Sequence, residues 1–410
     1  MERSSPNAAH LSAKGVDTTT HASLNVDSFY ASSGTVSGNV SVISTMAQTA
    51  RENAIVFLAQ KRHATYDRDS YGLLLKAIDL ISENYLSRRG HADNVDVFIF
   101  HTGDFEVKDL EFLESRINSR KGMLKMVNLH DTAYWSLPPW NAKDNQTEWC
   151  CEIFPLGYRH MCRFFGIKIW HFFEDMNQQL GSAYRYVLRL DEDSFVLSPI
   201  GYDIFDYMKS NQFVYGFRLC AYEMDYNRYI GGWFQQWKRK TLPKREITRD
   251  LCGFYNNFFV ADIHFFLSPP VQRYLKAIDR QGFVYRKRYG DLMIHSTAVY
   301  AFAEPETIHR FLDFTYQHVT TDYVLNPEQG CVVWGGIQAG YNDRDAEQHL
   351  DRYLKEEVLN KNCSANSTYL EERDLSPTYQ HLPESWRGKV KLRTIIAGKV
   401  EIPGQGILSG

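Results

Sequence analysis

Three acids in a row, Asp191, Glu192 and Asp193, close the apolar run YRYVLRL and precede the second apolar stretch SFVLSP. In an open α/β sheet, ligands sit outside the carboxyl ends of the strands, so carboxylates just past a buried strand are placed to touch one. On an extended backbone, side chains two residues apart point the same way. Asp191 and Asp193 therefore form a pair of hard oxygen donors suited to Mg²⁺ or Mn²⁺, an ion that can bridge protein and diphosphate. Breaking a sugar–phosphate bond leaves a nucleoside diphosphate whose growing charge such an ion stabilises, which is the need of a nucleotide-sugar transferase. The competing reading is a solvated turn after a strand, since isolated Asp-x-Asp triplets are common.

The surrounding pattern supplies the strands such a site requires. Ala54-Ile-Val-Phe-Leu-Ala is a short continuous apolar run, the mark of a strand covered on both faces. The stretch SYGLLLKAIDLISENYL then places Leu74, Ala77, Ile78, Ile81 and Tyr85 on one helical face. A second apolar strand, VDVFIFH, follows, and strand–helix–strand is the unit of a parallel sheet. MLKMVNL from Met123 offers a third strand. GYRHMCRFFGIKIWHFFEDM reads as helical and feeds the strand that ends at the three acids. Beyond it come a helix at Tyr202 to Lys209, a strand FVYGFRL, a polar insertion near 224–250, a strand around NNFFVADIHFF and a helix from about Pro269.

Bulk composition narrows the function classes. The chain has 410 residues, 44% of them hydrophobic, enough for a sizeable core. Its 46 basic and 49 acidic residues give a net charge of −3, with no global field to draw in nucleic acid. No run of about 18 apolar residues exists, so no transmembrane segment is expected in this chain. Residues 1–50, rich in Ser, Thr, Ala, Asn and Gly, read as a disordered leader or stem. The seven cysteines include no Cys-x-x-Cys pair, which argues against a zinc site. Asn39, Asn145, Asn362 and Asn366 each begin an Asn-x-Ser/Thr triplet, and with the odd cysteine count they lean towards the secretory pathway.

GYRHMCRFF, RLDEDSF with YDIFDYM, YGFR, NNFFVAD, RYGDLMIHS and IHRFLDFTYQH occur in the order and at the spacings of motifs in a known family. The chain resembles the fungal α-1,2-mannosyltransferases of glycosyltransferase family 15, closely over about 150–320. The resemblance implies a GT-A fold, an α/β architecture with a mostly parallel central sheet flanked by helices. It also implies transfer of mannose from GDP-mannose with retention, Mn²⁺ (or Mg²⁺) as cofactor, an oligosaccharide or glycoprotein acceptor, and the Golgi lumen. On that reading 51–410 is a single catalytic domain. Residues 51–200 form its nucleotide-binding half, 201–330 its acceptor and catalytic half, and 331–410 a C-terminal extension.

Carried over position by position, the likeness makes Asp191, Asp193 and His318 metal ligands, with Glu192 where the family keeps proline. Tyr158, Glu223 and Asp291 match active-site positions, and His295 falls on the acceptor side. Arg159 and Arg163, about one helical turn apart, offer donor forks to a phosphate, with plain salt bridges as the alternative. The strand from Ala54 is expected to help pocket the nucleobase. One departure stands out: the family's proposed nucleophile, the glutamate of Asn-Phe-Glu, falls on Phe259. Front-face attack without a protein nucleophile, substitution by Asp262 or Glu223, and donor binding without efficient transfer all remain open. A UDP-sugar donor also stays open, since no visible motif reads guanine over uracil.

Overall fold

The apolar runs become strands. In chain order to residue 324 they are β1 (Thr20–Asn25), β2 (Asn39–Ser44), β3 (Asn53–Leu58), β4 (Val95–His101), β5 (Leu124–Asn128), β6 (Tyr186–Leu190), β7 (Ser194–Val196), β8 (Tyr215–Phe217), β9 (Cys220–Tyr222), β10 (Cys252–Phe254), β11 (Phe258–Asp262), β12 (Ile308–Arg310), β13 (Tyr316–His318) and β14 (Thr321–Val324). This computed structural model describes residues 51–318 apart from 63–69, 89–90, 92, 118–122, 152–153, 181–182, 197–199, 219, 223–230, 243, 245–251, 312–313 and 315. It also describes 20–25, 39–44, 321–324, 399–400 and 408–409.

Nine strands form one sheet in the order β1-β2-β5-β4-β3-β6-β11-β8-β12. Its centre, β5-β4-β3-β6, is parallel, as the strand–helix–strand pattern predicts. Beyond β6 the pairing turns antiparallel through β11 and β8. The two strands within 1–50 correct the expectation that this stretch stays outside the fold. β2 pairs with β5 from Ser41↔Asn128 to Ile43↔Met126, and its Val40, Val42 alternation is the period-2 signal of a strand.

The helices are α1 (Ser70–Ile81), α2 (Val107–Arg116), α3 (Leu156–Arg163), α4 (Ile169–Leu180), α5 (Ile204–Ser210), α6 (Gly231–Thr241), α7 (Ile263–Leu267), α8 (Pro269–Arg280), α9 (Phe283–Arg286) and α10 (Asp291–Phe302). A π-helical turn, Phe164–Lys168, joins α3 to α4. Strand alternation splits the core in two. Ile55, Phe57, Val97 and Ile99 pack with Leu74, Ala77 and Ile78 of α1 on one face. Ala54, Val56, Phe98 and Phe100 pack with Phe172 and Phe173 of α4 on the other. No helix among the described residues is long and apolar enough to cross a membrane.

At the amino-terminal end of the parallel strands, buried Asp96 on β4 gathers three partners. Arg51 Nη1 donates at 2.6 Å, Lys125 Nζ lies 3.4 Å away, and the Tyr184 hydroxyl donates to Oδ2. Asp96→Ala leaves two buried cations without their anion, so unfolding in urea should show a loss of about 3–5 kcal/mol. A loss below about 1 kcal/mol would mean the network contributes little.

Candidate active site and metal centre

The acids do not continue β6 as an extended strand. After Leu190 the backbone turns, with Ser194 N donating to Asp191 O at 3.0 Å, and β7 starts at Ser194. β13 pairs antiparallel with β7, setting His318 opposite Ser194. The turn and this register bring three groups together. His318 Nε2 lies 3.0 Å from Asp193 Oδ1 and 3.7 Å from Asp191 Oδ2. One ligand atom from each residue falls within 4.8 Å of the others. An ion at about 2.2–2.6 Å from each donor fits that span, and two carboxylate oxygens with one imidazole nitrogen suit Mn²⁺.

The electrostatics follow from burial and pairing. Burial disfavours the charge on Asp191, but Arg189 and His318 outweigh it and hold its carboxyl below the usual carboxylate range. Burial likewise opposes protonation of His318, yet the facing Asp193 and Asp191 carboxylates raise it well above an ordinary imidazole. Without metal, a proton therefore occupies the place of the cation.

Arg189, on β6 and buried, is the residue that the sequence reading missed. Its Nε donates to Asp191 Oδ1 at 2.9 Å, its Nη1 donates to Asp291 Oδ2, and its guanidinium lies 3.6 Å from the centre of the Phe165 ring. The signal was there: a lone basic residue in the apolar strand YVLRL. Asp291, at the start of α10, also accepts from Asn256 Nδ2 at 2.5 Å. Gly166 permits this approach of α10, because a Cβ there would come within 2.8 Å of Ile294 Cδ1 and 3.4 Å of Asp291 Cα.

Tyr158 lies on α3, its hydroxyl accepting from Arg288 Nη2 at 3.0 Å. Burial raises its pKa well above the usual phenol value, so it is neutral near neutral pH. Glu223 lies outside the described residues. The remaining expectations are corrected. Arg159 donates to the carbonyls of Cys150, Cys151, Phe154 and Tyr285, leaving no fork for a phosphate. Arg163 grips Asp279 through two 2.9 Å bonds and Ser136 O through a third. Both arginines brace loops and helices, because buried guanidinium groups must satisfy their donors locally. Ala54 is fully buried near the start of β3, away from its carboxyl end, and presents nothing to a base.

His295 is also fully buried. Its Nε2 is 2.9 Å from Phe165 O, and its ring packs against Trp170, Tyr215, Phe259 and Phe266. Burial lowers its pKa to about 4, so it is a neutral core group rather than an acceptor contact. Asp262 caps α7 by accepting from His264 N and pairs with Arg185. It lies opposite Tyr186, at the far end of the β6–β11 pair from Asp191, and cannot stand in for a missing nucleophile. Phe259 itself is fully buried, stacked on Tyr215 at 5.6 Å.

Residues 132–335 match the family model described as glycolipid 2-alpha-mannosyltransferase. The glycolipid 2-alpha-mannosyltransferase of Saccharomyces cerevisiae is 27% identical over 210 residues, 46% of each chain. The probable mannosyltransferase KTR4 of the same yeast is 31% identical over 184 residues, 40% of this chain and 38% of its own. The chain thus spans about half the length of the curated relatives it matches. Among solved structures, the mannosyltransferase Ktr4p from S. cerevisiae aligns with a TM-score of 0.59 at 20% identity, covering 76% of this chain and 84% of that one. Core-mannan synthase A from Aspergillus fumigatus, in a Mn/GDP form, aligns at 0.56 and 18% identity, covering 72% and 82%. The fold is that of the GT-A glycosyltransferases, and residues 132–335 match the glycolipid 2-alpha-mannosyltransferase family.

Proposed function

We propose that this chain is a metal-dependent retaining glycosyltransferase that moves mannose from GDP-mannose to a mannose-terminated glycan in α-1,2 linkage. It would act in protein glycosylation within the secretory pathway, in the Golgi lumen. The observation that carries this reading is the cluster of Asp191, Asp193 and His318 at the carboxyl end of β6, in a chain that matches this family over residues 132–335. The relatives solved with GDP and with Mn/GDP support the donor and the metal. Mn²⁺ is favoured over Mg²⁺ because one donor is an imidazole. Bound there, a divalent ion supplies charge neutralisation to the diphosphate as it leaves.

The chain's own residues do the rest. Arg189 occupies one oxygen of Asp191, so the carboxylate turns its other oxygen towards His318 and the ion. His318 serves as a ligand only after losing its proton. Tyr158, Glu223 and Asp291 position the sugars. With a phenyl ring at 259, retention proceeds by front-face attack, the acceptor hydroxyl passing its proton to the departing phosphate. Phe259 also favours a second reading, a donor-binding protein without efficient transfer.

Incubation with GDP-mannose, UDP-glucose and UDP-galactose, each with and without Mn²⁺, separates the readings. Nucleotide release from GDP-mannose alone, and only with metal, is expected. Release from a UDP-sugar would move the donor assignment, and tight GDP binding without release would favour the second reading. Asp193→Ala should abolish metal-dependent nucleotide binding; unchanged Mn²⁺ affinity in that variant would remove the metal assignment.

The pH dependence has a definite sign. The pKa of His318 is raised, so the metal-free site holds a proton that metal must displace. Titration of Mn²⁺ should show affinity rising roughly tenfold between about pH 6.5 and 7.5, with flattening above the raised pKa. An affinity independent of pH would exclude His318 as a ligand.

Phe259→Glu tests the chemistry. A carboxylate at 259 would be buried among Trp170, Tyr215 and His295, and its cross-strand neighbour Arg189 is already held by Asp191 and Asp291, so the variant should lose about 3–5 kcal/mol of stability without gaining turnover. A sharp rise in turnover would instead show that a missing nucleophile limited the rate.

A further inference from the structure

Asn257 stands directly before β11, one step beyond the last paired residues, Phe258 and Leu190. Its carbonyl accepts from Asp191 N at 3.4 Å and from Ser194 Oγ at 3.1 Å, which fixes its backbone against the acidic turn. It therefore stands beside the turn that carries Asp191 and Asp193.

The side chain is only 3% exposed, yet neither its Oδ1 nor its Nδ2 has a hydrogen-bond partner. Among the described residues it is the one buried amide with both polar atoms unpaired. A buried polar group without a partner is costly, and native proteins keep such groups where a ligand or a special role compensates. An amide offers an acceptor and a donor side by side, the complement of two adjacent hydroxyls on a pyranose.

We propose that Asn257 is a specificity-determining residue that binds adjacent hydroxyls of the transferred hexose, while the Asp191–Asp193–His318 cluster holds the diphosphate of the same donor. The assignment rests on the proposed function and extends it to a residue outside the Asp191–Asp193–His318 cluster. It also makes a distinctive statement about stability. In the ligand-free protein the amide is a liability, so replacing it with an apolar side chain of similar volume should not weaken the fold.

The test compares wild type with Asn257→Leu and Asn257→Gln by calorimetric titration of GDP and of GDP-mannose in Mn²⁺, together with thermal unfolding of each ligand-free protein. Asn257→Leu should unfold no earlier than wild type and bind GDP equally well. It should lose at least about tenfold of the affinity that GDP-mannose has beyond GDP, because the sugar hydroxyls are left unpaired. An undiminished preference for GDP-mannose over GDP in both variants would overturn the inference. So would a ligand-free Asn257→Leu protein that unfolds well below wild type, since the amide would then be structural. Failure of wild type to bind GDP at all would instead count against the proposed function, so the two ideas fail separately.

Discussion

The site depends on one buried ion-pair relay, Asp191–Arg189–Asp291. A guanidinium inside an apolar sheet is costly unless its donors are satisfied, and here two carboxylates and the face of Phe165 surround it. Because Asp191 directly follows β6 and Asp291 begins α10, the relay ties the carboxyl end of a central strand to the helical layer. Removing either acid would leave Arg189 only partly compensated, so the two halves of the cleft are coupled through a single side chain. That coupling is what aims Asp191 at His318.

The second constraint is the aromatic packing around β11. Phe259, Tyr215, Trp170, Phe266 and His295 form one continuous cluster beneath the site. Such a cluster contributes stability through area and ring geometry, and the cation opposite Phe259, Arg189, is already paired with two acids. The replacement of an expected glutamate by phenylalanine is therefore consistent with its surroundings. His295 belongs to the same packing, which is why a residue that resembles a site histidine in sequence behaves as a core residue in the fold.

Much of the architecture was legible before any coordinates. The runs at 54–58, 95–101 and 186–190 are largely apolar because central parallel strands are covered on both faces, whereas a half-solvated strand would alternate with polar residues. The helical face of α1 was equally plain: Leu74, Ala77, Ile78 and Ile81 are buried, and Tyr85 is buried in the π-helical turn Ser82–Leu86 that follows. Edge strand β1 and its neighbour β2 were harder to read, since polar residues interrupt them and only the pairing of β1 with β2 and of β2 with β5 sets them in the sheet. Arg159 and Arg163 show a different limit. Helical spacing puts both on α3, but only the packed loops and α8 decide that carbonyls and Asp279, rather than a phosphate, take their donors.

The order of residues by itself determined that a buried strand would deliver carboxylates to the carboxyl edge of an α/β sheet, because apolar continuity and the position of Asp191 and Asp193 are local properties. It could not determine how those acids meet His318, more than a hundred residues away. That contact exists because β13 pairs with β7 in one register, and register is a property of the assembled sheet. The same holds for the empty-handed amide of Asn257: its type is written in the chain, while its burial without a partner is decided only when β6 and β11 close around it.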